Sequence, residues 1–158
     1  KIQRRGGKIQ ALSRAMATQE FPLEHGWISA GKPTEEVLRA KVEEGYRIFS
    51  LLARTEEAFD EECVVQELGG SFRRFPTTRP DFGSSEFRRE LHAAMNAELQ
   101  AGGKVYFHCA SANRTGAAWA TFVHETKNTP LEEALQQGER GGLKAMKPDV
   151  VQILSSVA

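Results

Sequence analysis

The sequence predicts an α/β fold: a single domain with a mostly parallel sheet of four or five strands flanked by helices. Three observations predict it. Short β-rich apolar runs alternate with segments of helical periodicity. The connections between them are brief and punctuated by Gly or Pro, leaving little room for a second domain. At 158 residues the chain is long enough to bury one substantial core.

The elements follow in order. Residues 1–20 are expected to form a flexible N-terminal arm ahead of a domain over 21–158. In the arm Lys1, Arg4, Arg5 and Lys8 surround Gly6-Gly7 without periodicity. Trp27 to Gly31 suggests a short strand and a turn. Thr34 then caps a helix with Glu35 and Glu36 in its first turn and Val37, Leu38 and Val42 on its apolar face; Gly45 ends it. Tyr46 to Leu52 fits a buried strand. A helix is expected from Arg54 to Leu68, capped by Thr55, with Cys63 packed among Phe59, Val64 and Leu68 or serving as a resolving thiol. Phe72 to Phe75 is a strand stopped by Pro76, and Thr77 to Gly83 a loop. Ser84 or Ser85 caps a helix through Leu99, apolar at Phe87, Leu91, Ala94, Met95 and Leu99. Gly102-Gly103 ends that helix, and Lys104 to Phe107 reads as the next strand. Helices beginning at Thr129-Pro130 and at Lys147-Pro148-Asp149 complete the chain. Trp27 and Trp119 are read as core or pocket-floor aromatics.

Composition narrows the function. Lys plus Arg and Asp plus Glu each total 21, so the formal net charge is zero. No global attraction draws the chain to nucleic acid or to an acidic membrane surface. No apolar run approaches the roughly 18–20 residues of a membrane span. The two cysteines, Cys63 and Cys109, make neither a disulfide framework nor a cysteine-pair zinc site. The chain opens on Lys1 rather than Met, which fits a removed leader or a trimmed terminus. Cytoplasm and periplasm suit it equally, and nothing in it specifies an oligomeric state.

The chemistry concentrates in His108-Cys109-Ala110-Ser111-Ala112-Asn113-Arg114-Thr115-Gly116. A cysteine where a strand gives way to a helix meets converging backbone amides and the positive end of the helix dipole. That field favours a thiolate, lowering a thiol pKa from about 8.5 to roughly 3.5–7.5. Arg114 offers a planar fork to an oxyanion. The amides of Ala110, Ser111, Ala112 and Asn113 supply the rest of the cradle. Thr115 is placed to cap the helix and to donate to the Cys109 sulfur. His108 points away from the pocket and braces the loop.

This stretch resembles the signature of the cysteine-dependent tyrosine and dual-specificity protein phosphatases, which reads His-Cys, five residues, Arg, then Ser or Thr and Gly. Here four residues separate Cys109 from Arg114, as in a bacterial group of phosphatase-like proteins with the pattern His-Cys-Arg-Ser-Gly-Asn-Arg-Ser, the beta-lactamase-hydrolase-like group. Ser29-Ala30-Gly31-Lys32-Pro33-Thr34-Glu35-Glu36 is similar to its Ser-Gly-Gln-Pro-Thr-Glu-Glu segment. Gly45-Tyr46 through Ala53-Arg54 is similar to its Gly-Tyr-strand-Asn-Leu-Arg segment. The resemblance spans about residues 24–126 and implies a phosphatase-like sheet, a phosphorylated protein or small-molecule substrate, and chemistry needing neither metal nor organic cofactor. Cys109 would be the nucleophile, and Asp81 the general acid on the loop before the capped helix. A plain turn aspartate is the equal alternative for Asp81. Arg54 and Arg79 would attract a second anionic group at the pocket mouth.

The chain departs from the group at Ala112, where glycine is frequent. If the backbone there needs a positive φ, alanine costs about 1 kcal/mol. The short loop also matches the length of many rhodanese-type sulfurtransferase loops. Two further readings therefore stand beside phosphate-monoester hydrolysis: persulfide transfer on Cys109, and non-catalytic binding of an anion or phosphoprotein.

Overall fold

The computed structural model describes residues 19–155. Five strands form one sheet in the order β1-β2-β5-β3-β4. Strand β1 (Glu20–Pro22) pairs antiparallel with β2 (Ile28–Ala30); β2, β5 (Val105–His108), β3 (Arg47–Ser50) and β4 (Phe72–Arg74) run parallel. The central β5 thus lies between β2 and β3, with His108 level with both Ala30 and Ser50. All three strands end at one edge, where open α/β sheets bind ligands.

Side chains alternate across β5 and so define two layers. Tyr106 packs with Ala30, Ile48, Leu38 of α1 (Glu35–Glu43) and Val64 and Val65 of α2 (Glu61–Glu67). Val105, Phe107 and Cys109 belong to the larger core on the opposite face. That core includes Leu91 and Met95 of α3 (Ser85–Gln100) and Trp119 and Phe122 of α4 (Asn113–Lys127). It also takes Ala134 of α5 (Leu131–Arg140) and Val150 and Leu154 of α6 (Lys147–Ser155). Trp27 and Trp119 are both buried, with ring centroids 5.5 Å apart.

The expected caps form. Thr34 Oγ1 accepts from the Val37 amide and Ser84 Oγ from the Phe87 amide. Gly45 and Gly102 close α1 and α3 with φ of 92° and 72°.

Three boundaries differ from the sequence reading. The helix expected over Arg54–Leu68 is a short 3-10 turn, Arg54–Glu56, followed by α2 capped by Asp60, whose side chain accepts from the Cys63 amide. Glu56 folds back onto the Ala53 amide at 3.1 Å, and Glu57 is drawn off to Arg74 at 2.7 Å, so the intervening residues are held by tertiary partners. The later start turns α2 so that Glu61, Val64 and Val65 are its buried residues. Cys63 faces outward, against expectation, and the Glu67 charge pushes its thiol up. Pro130 precedes α5 rather than opening it. The expected arm over 1–20 falls outside the described residues except for its last two, and Glu20 opens β1, a three-residue edge strand too short to show alternation.

Candidate active site

Cys109 follows β5 directly, and its amide donates to the Ala30 carbonyl at 3.0 Å. The loop then runs beside the end of β2: Ser111 forms an isolated bridge with Gly31, and the Lys32 amide donates to Ala110 O at 3.1 Å. Ala110 and Ser111 are exposed, while Cys109 and Ala112 are fully buried. Helix α4 begins at Asn113, so the amides of Asn113, Arg114 and Thr115 have no acceptor within the helix and form its anion-attracting end.

Ala112 is the residue before the helix, with φ 64° and ψ 0°. This is the left-handed region that costs a non-glycine residue about 1–2 kcal/mol, so the condition raised at the sequence level is met. Helix and packing hold it there. Its carbonyl accepts from the Gly116 amide at 2.9 Å and from Thr115 Oγ1 at 3.1 Å. Its methyl lies against Gly142, where a Cβ would come within 2.6 Å. Gly116 is required on the next turn, because a Cβ there would meet the Leu143 amide nitrogen at 2.4 Å. Asn113 Oδ1 completes the join, accepting from the amides of Lys144 and Met146 at 3.0 and 3.2 Å.

Arg114 is held as a fork. Its two terminal nitrogens donate to the Glu56 carboxylate at 2.8 and 3.3 Å, and one also donates to the Thr77 carbonyl at 2.7 Å. The Glu56 carboxyl is kept below its ordinary range chiefly by this hydrogen bond, against the cost of burial, with help from the Ala53 amide and the charges of Arg114 and Lys32. The same bond tightens Arg114's hold on its proton, and the adjacent Cys109 side chain adds to the effect. The cation therefore stays fixed beside the sulfur.

His108 points to the other face of the sheet, as expected. Its Nε2 lies 2.5 Å from Glu61 Oε1, both side chains fully enclosed, and its Nδ1 lies 3.4 Å from the Cys109 carbonyl. Thr115 Oγ1 lies 3.8 Å from Cys109 Sγ and 2.6 Å from Ser29 Oγ, and Ser29 in turn donates to Gly141 O at 2.5 Å.

The other expected residues have local partners. Asp81 sits in a 3-10 turn, Arg79–Gly83, where Oδ2 accepts from the Thr78 amide at 2.6 Å and the Thr78 hydroxyl at 2.9 Å. Arg79 turns toward α6, bonding Asp149 and the Ala145 carbonyl. Arg54 does lie at the carboxyl edge after β3, largely exposed and paired with Glu62 at 3.1 Å. The sequence reading missed Glu56 as the partner of Arg114, Glu61 as the partner of His108, and the place of Lys32 and Ser29 beside the loop. One signal was available for two of them: Lys32 and Glu56 follow parallel strands that end beside the strand carrying Cys109.

Among the described residues no group of three or more His, Cys, Asp or Glu side chains is arranged to hold a metal ion, and no helix is long and apolar enough to cross a membrane. No family model and no curated protein sequence matches the chain. Solved structures do. A DUF442 protein from Shewanella putrefaciens CN-32 shares 17% identity, covering 93% of this chain and 94% of its own, with a TM-score of 0.69. PTPMT1 in complex with PI(5)P shares 17%, covering 88% and 99%, at 0.67. A Cys-to-Ser variant of P. aeruginosa TpbA in complex with pTyr shares 16%, covering 89% and 86%, at 0.60. The fold is therefore the phosphatase-like α/β fold over nearly the whole chain.

Proposed function

We propose that this protein is a cysteine-dependent phosphatase acting on a phosphate monoester. The observation that carries the proposal is Arg114 pinned by Glu56 next to the Cys109 sulfur, at the amino end of α4, in a phosphatase-like fold. Cys109 as thiolate attacks phosphorus; a sulfur–phosphorus bond forms and the bond to the leaving oxygen breaks. Arg114 and the amides of residues 110–114 hold the phosphoryl oxygens as charge moves onto them. Asp81, freed from Thr78, protonates the leaving oxygen. It then takes a proton from the water that displaces Cys109 and releases phosphate. Arg54, at the carboxyl edge after β3, and Lys32, whose charge reaches Glu56, would favour a substrate with a second anionic group. A tyrosine-phosphorylated protein and a phosphorylated small molecule both meet these requirements; the neighbouring folds bind pTyr in one case and PI(5)P in another.

The test is phosphate release from an aryl phosphate across pH 5–8. Wild type is expected to turn over and Cys109→Ser to fall by roughly 10³-fold or more; equal rates for the two proteins would reject the proposal. The loop of six residues from Cys109 to Arg114 favours one second reading, persulfide transfer. A Cys109-dependent gain of one sulfur from thiosulfate, with no phosphate release, would select it.

A further inference from the structure

Arg88, near the start of α3, is buried and carries its charge out of solvent. A guanidinium taken out of water needs partners for its donors and for its charge. Arg88 finds them on two separate elements. Nε and Nη2 donate to the two carboxylate oxygens of Glu125, on α4, at 2.6 and 3.3 Å. Nη1 donates to the Phe82 carbonyl at 2.7 Å. Phe82 is the residue after Asp81 in the turn Arg79–Gly83. One planar fork thus joins α4 to the backbone that carries Asp81.

The rest of this turn is held as well. Phe82 is fully buried, its ring edge-on to Phe87 of α3 at 5.8 Å between centroids. Arg79 bonds Asp149 of α6 and the Ala145 carbonyl just before it. Ahead of the turn, the Thr77 carbonyl accepts from Arg114 at 2.7 Å. Arg114 stands in the first turn of α4 and Glu125 in its last. The segment over residues 77–82 is therefore tied to both ends of the helix whose amino end faces the proposed phosphoryl site. With the backbone fixed in this way, the motion left to Asp81 is that of its own side chain, away from Thr78.

A buried ion pair is weak evidence of stability, because desolvation offsets its attraction. Apolar side chains would join α3 to α4 at little cost to the fold, but they would not supply the donor to the Phe82 carbonyl. His92, one turn along α3, is pushed down to about 4 by burial and stays neutral, its Nε2 3.0 Å from the Thr121 hydroxyl. It does not compete for the Glu125 charge.

We propose that Arg88 is a positioning residue for the general acid: by bridging Glu125 to the Phe82 carbonyl it fixes the Asp81 turn relative to the Cys109 loop. The inference rests on the phosphatase reading above, with Asp81 as the acid. Proton transfer needs hydrogen-bond reach, so a small displacement of the turn costs acid catalysis while Cys109 and Arg114 keep their places.

The leaving group separates acid catalysis from everything else. A phenol, with a pKa of about 10, leaves slowly unless protonated, whereas a dinitrophenol leaves as its anion. The test is kcat/KM for phenyl phosphate and for dinitrophenyl phosphate. Asp81→Asn is expected to lose about 10²-fold on the first and little on the second. Arg88→Met keeps an apolar side chain of similar length and is expected to lose about tenfold on phenyl phosphate and little on dinitrophenyl phosphate. Glu125→Gln, which keeps Arg88 itself, should show the same selectivity more weakly and guards against a folding defect in Arg88→Met. Arg88→Lys returns a donor and should recover part of the phenyl phosphate rate. Arg88→Met added to Asp81→Asn is expected to increase the selectivity no further. Equal losses on both substrates in Arg88→Met and Glu125→Gln, beside a selective loss in Asp81→Asn, would overturn this inference alone. An unselective Asp81→Asn would overturn the acid role of Asp81 and this inference with it. Release of phosphate from neither substrate by wild type would overturn the phosphatase reading and both of these.

Discussion

The two faces of β5 treat buried polarity in opposite ways. On the α1–α2 side, His108 and Glu61 meet at 2.5 Å in full burial, each having found one partner. On the α4–α6 side, Ser29 and Thr115 share two protons among Gly141, Ala112 and Cys109. The first arrangement is satisfied and therefore fixes position: it anchors the strand end on which Cys109 sits. The second offers two hydroxyl protons to more contacts than they can fill. The fixed face lies behind Cys109 and the less fully bonded one beside it, an arrangement that suits the role proposed for this residue.

The comparison breaks most severely at Glu61. Glu61→Ala leaves a buried imidazole without its partner and is expected to cost about 3–5 kcal/mol in denaturant unfolding. Glu61→Gln preserves a hydrogen bond and should cost roughly 1 kcal/mol. A loss well under 1 kcal/mol for Glu61→Ala would show that this face is not the anchor.

A middle-sized effect is expected at Glu56, the brace of the site's cation. Glu56→Gln should lower kcat/KM for an aryl phosphate by about tenfold, since the neutral amide offers Arg114 a weaker hold. Its pH dependence has a definite sign. The Glu56 carboxyl is lowered from the ordinary value of 4.5 in the folded protein, so the ion pair stabilises the fold fully above that value. This advantage is lost as pH falls through the lowered folded value. The stability gap between wild type and Glu56→Gln should therefore be present at pH 7 and close in acid. The group is more than one-third exposed, which keeps the gap well under 1 kcal/mol. A gap that widens in acid would contradict the pairing.

The smallest expected effect concerns the residue that joins the loop to α4. Ala112→Gly removes the left-handed penalty, at some cost in unfolded-chain entropy, and should stabilise the protein by about half to 1 kcal/mol in thermal unfolding. Destabilisation instead would mean that the methyl contact at Gly142 outweighs backbone strain.

Legibility followed the range of the interactions. The caps at Thr34 and Ser84, the terminators at Gly45 and Gly102 and the strand–loop–helix around Cys109 each depend on residues a few positions apart, and each stands in the fold. The reading failed between Arg54 and Glu61. There Thr55-Glu56-Glu57 carries good local helix-start chemistry, but Glu56 and Glu57 are claimed by Arg114 and Arg74. Asp81 shows a different ambiguity: one local motif suits both a turn aspartate and the general acid proposed above, and the hydrogen bonds formed are those of the turn.

By itself the sequence determined the layered α/β architecture, the loop that presents Cys109 and the arginine that accompanies it, because alternation, capping and turn chemistry act over short stretches of chain. Tertiary structure alone decided what holds those groups. Glu56 reaches Arg114 across 58 residues and Ser29 reaches Thr115 across 86. Partners so distant are selected by strand order and packing, and no local pattern encodes them.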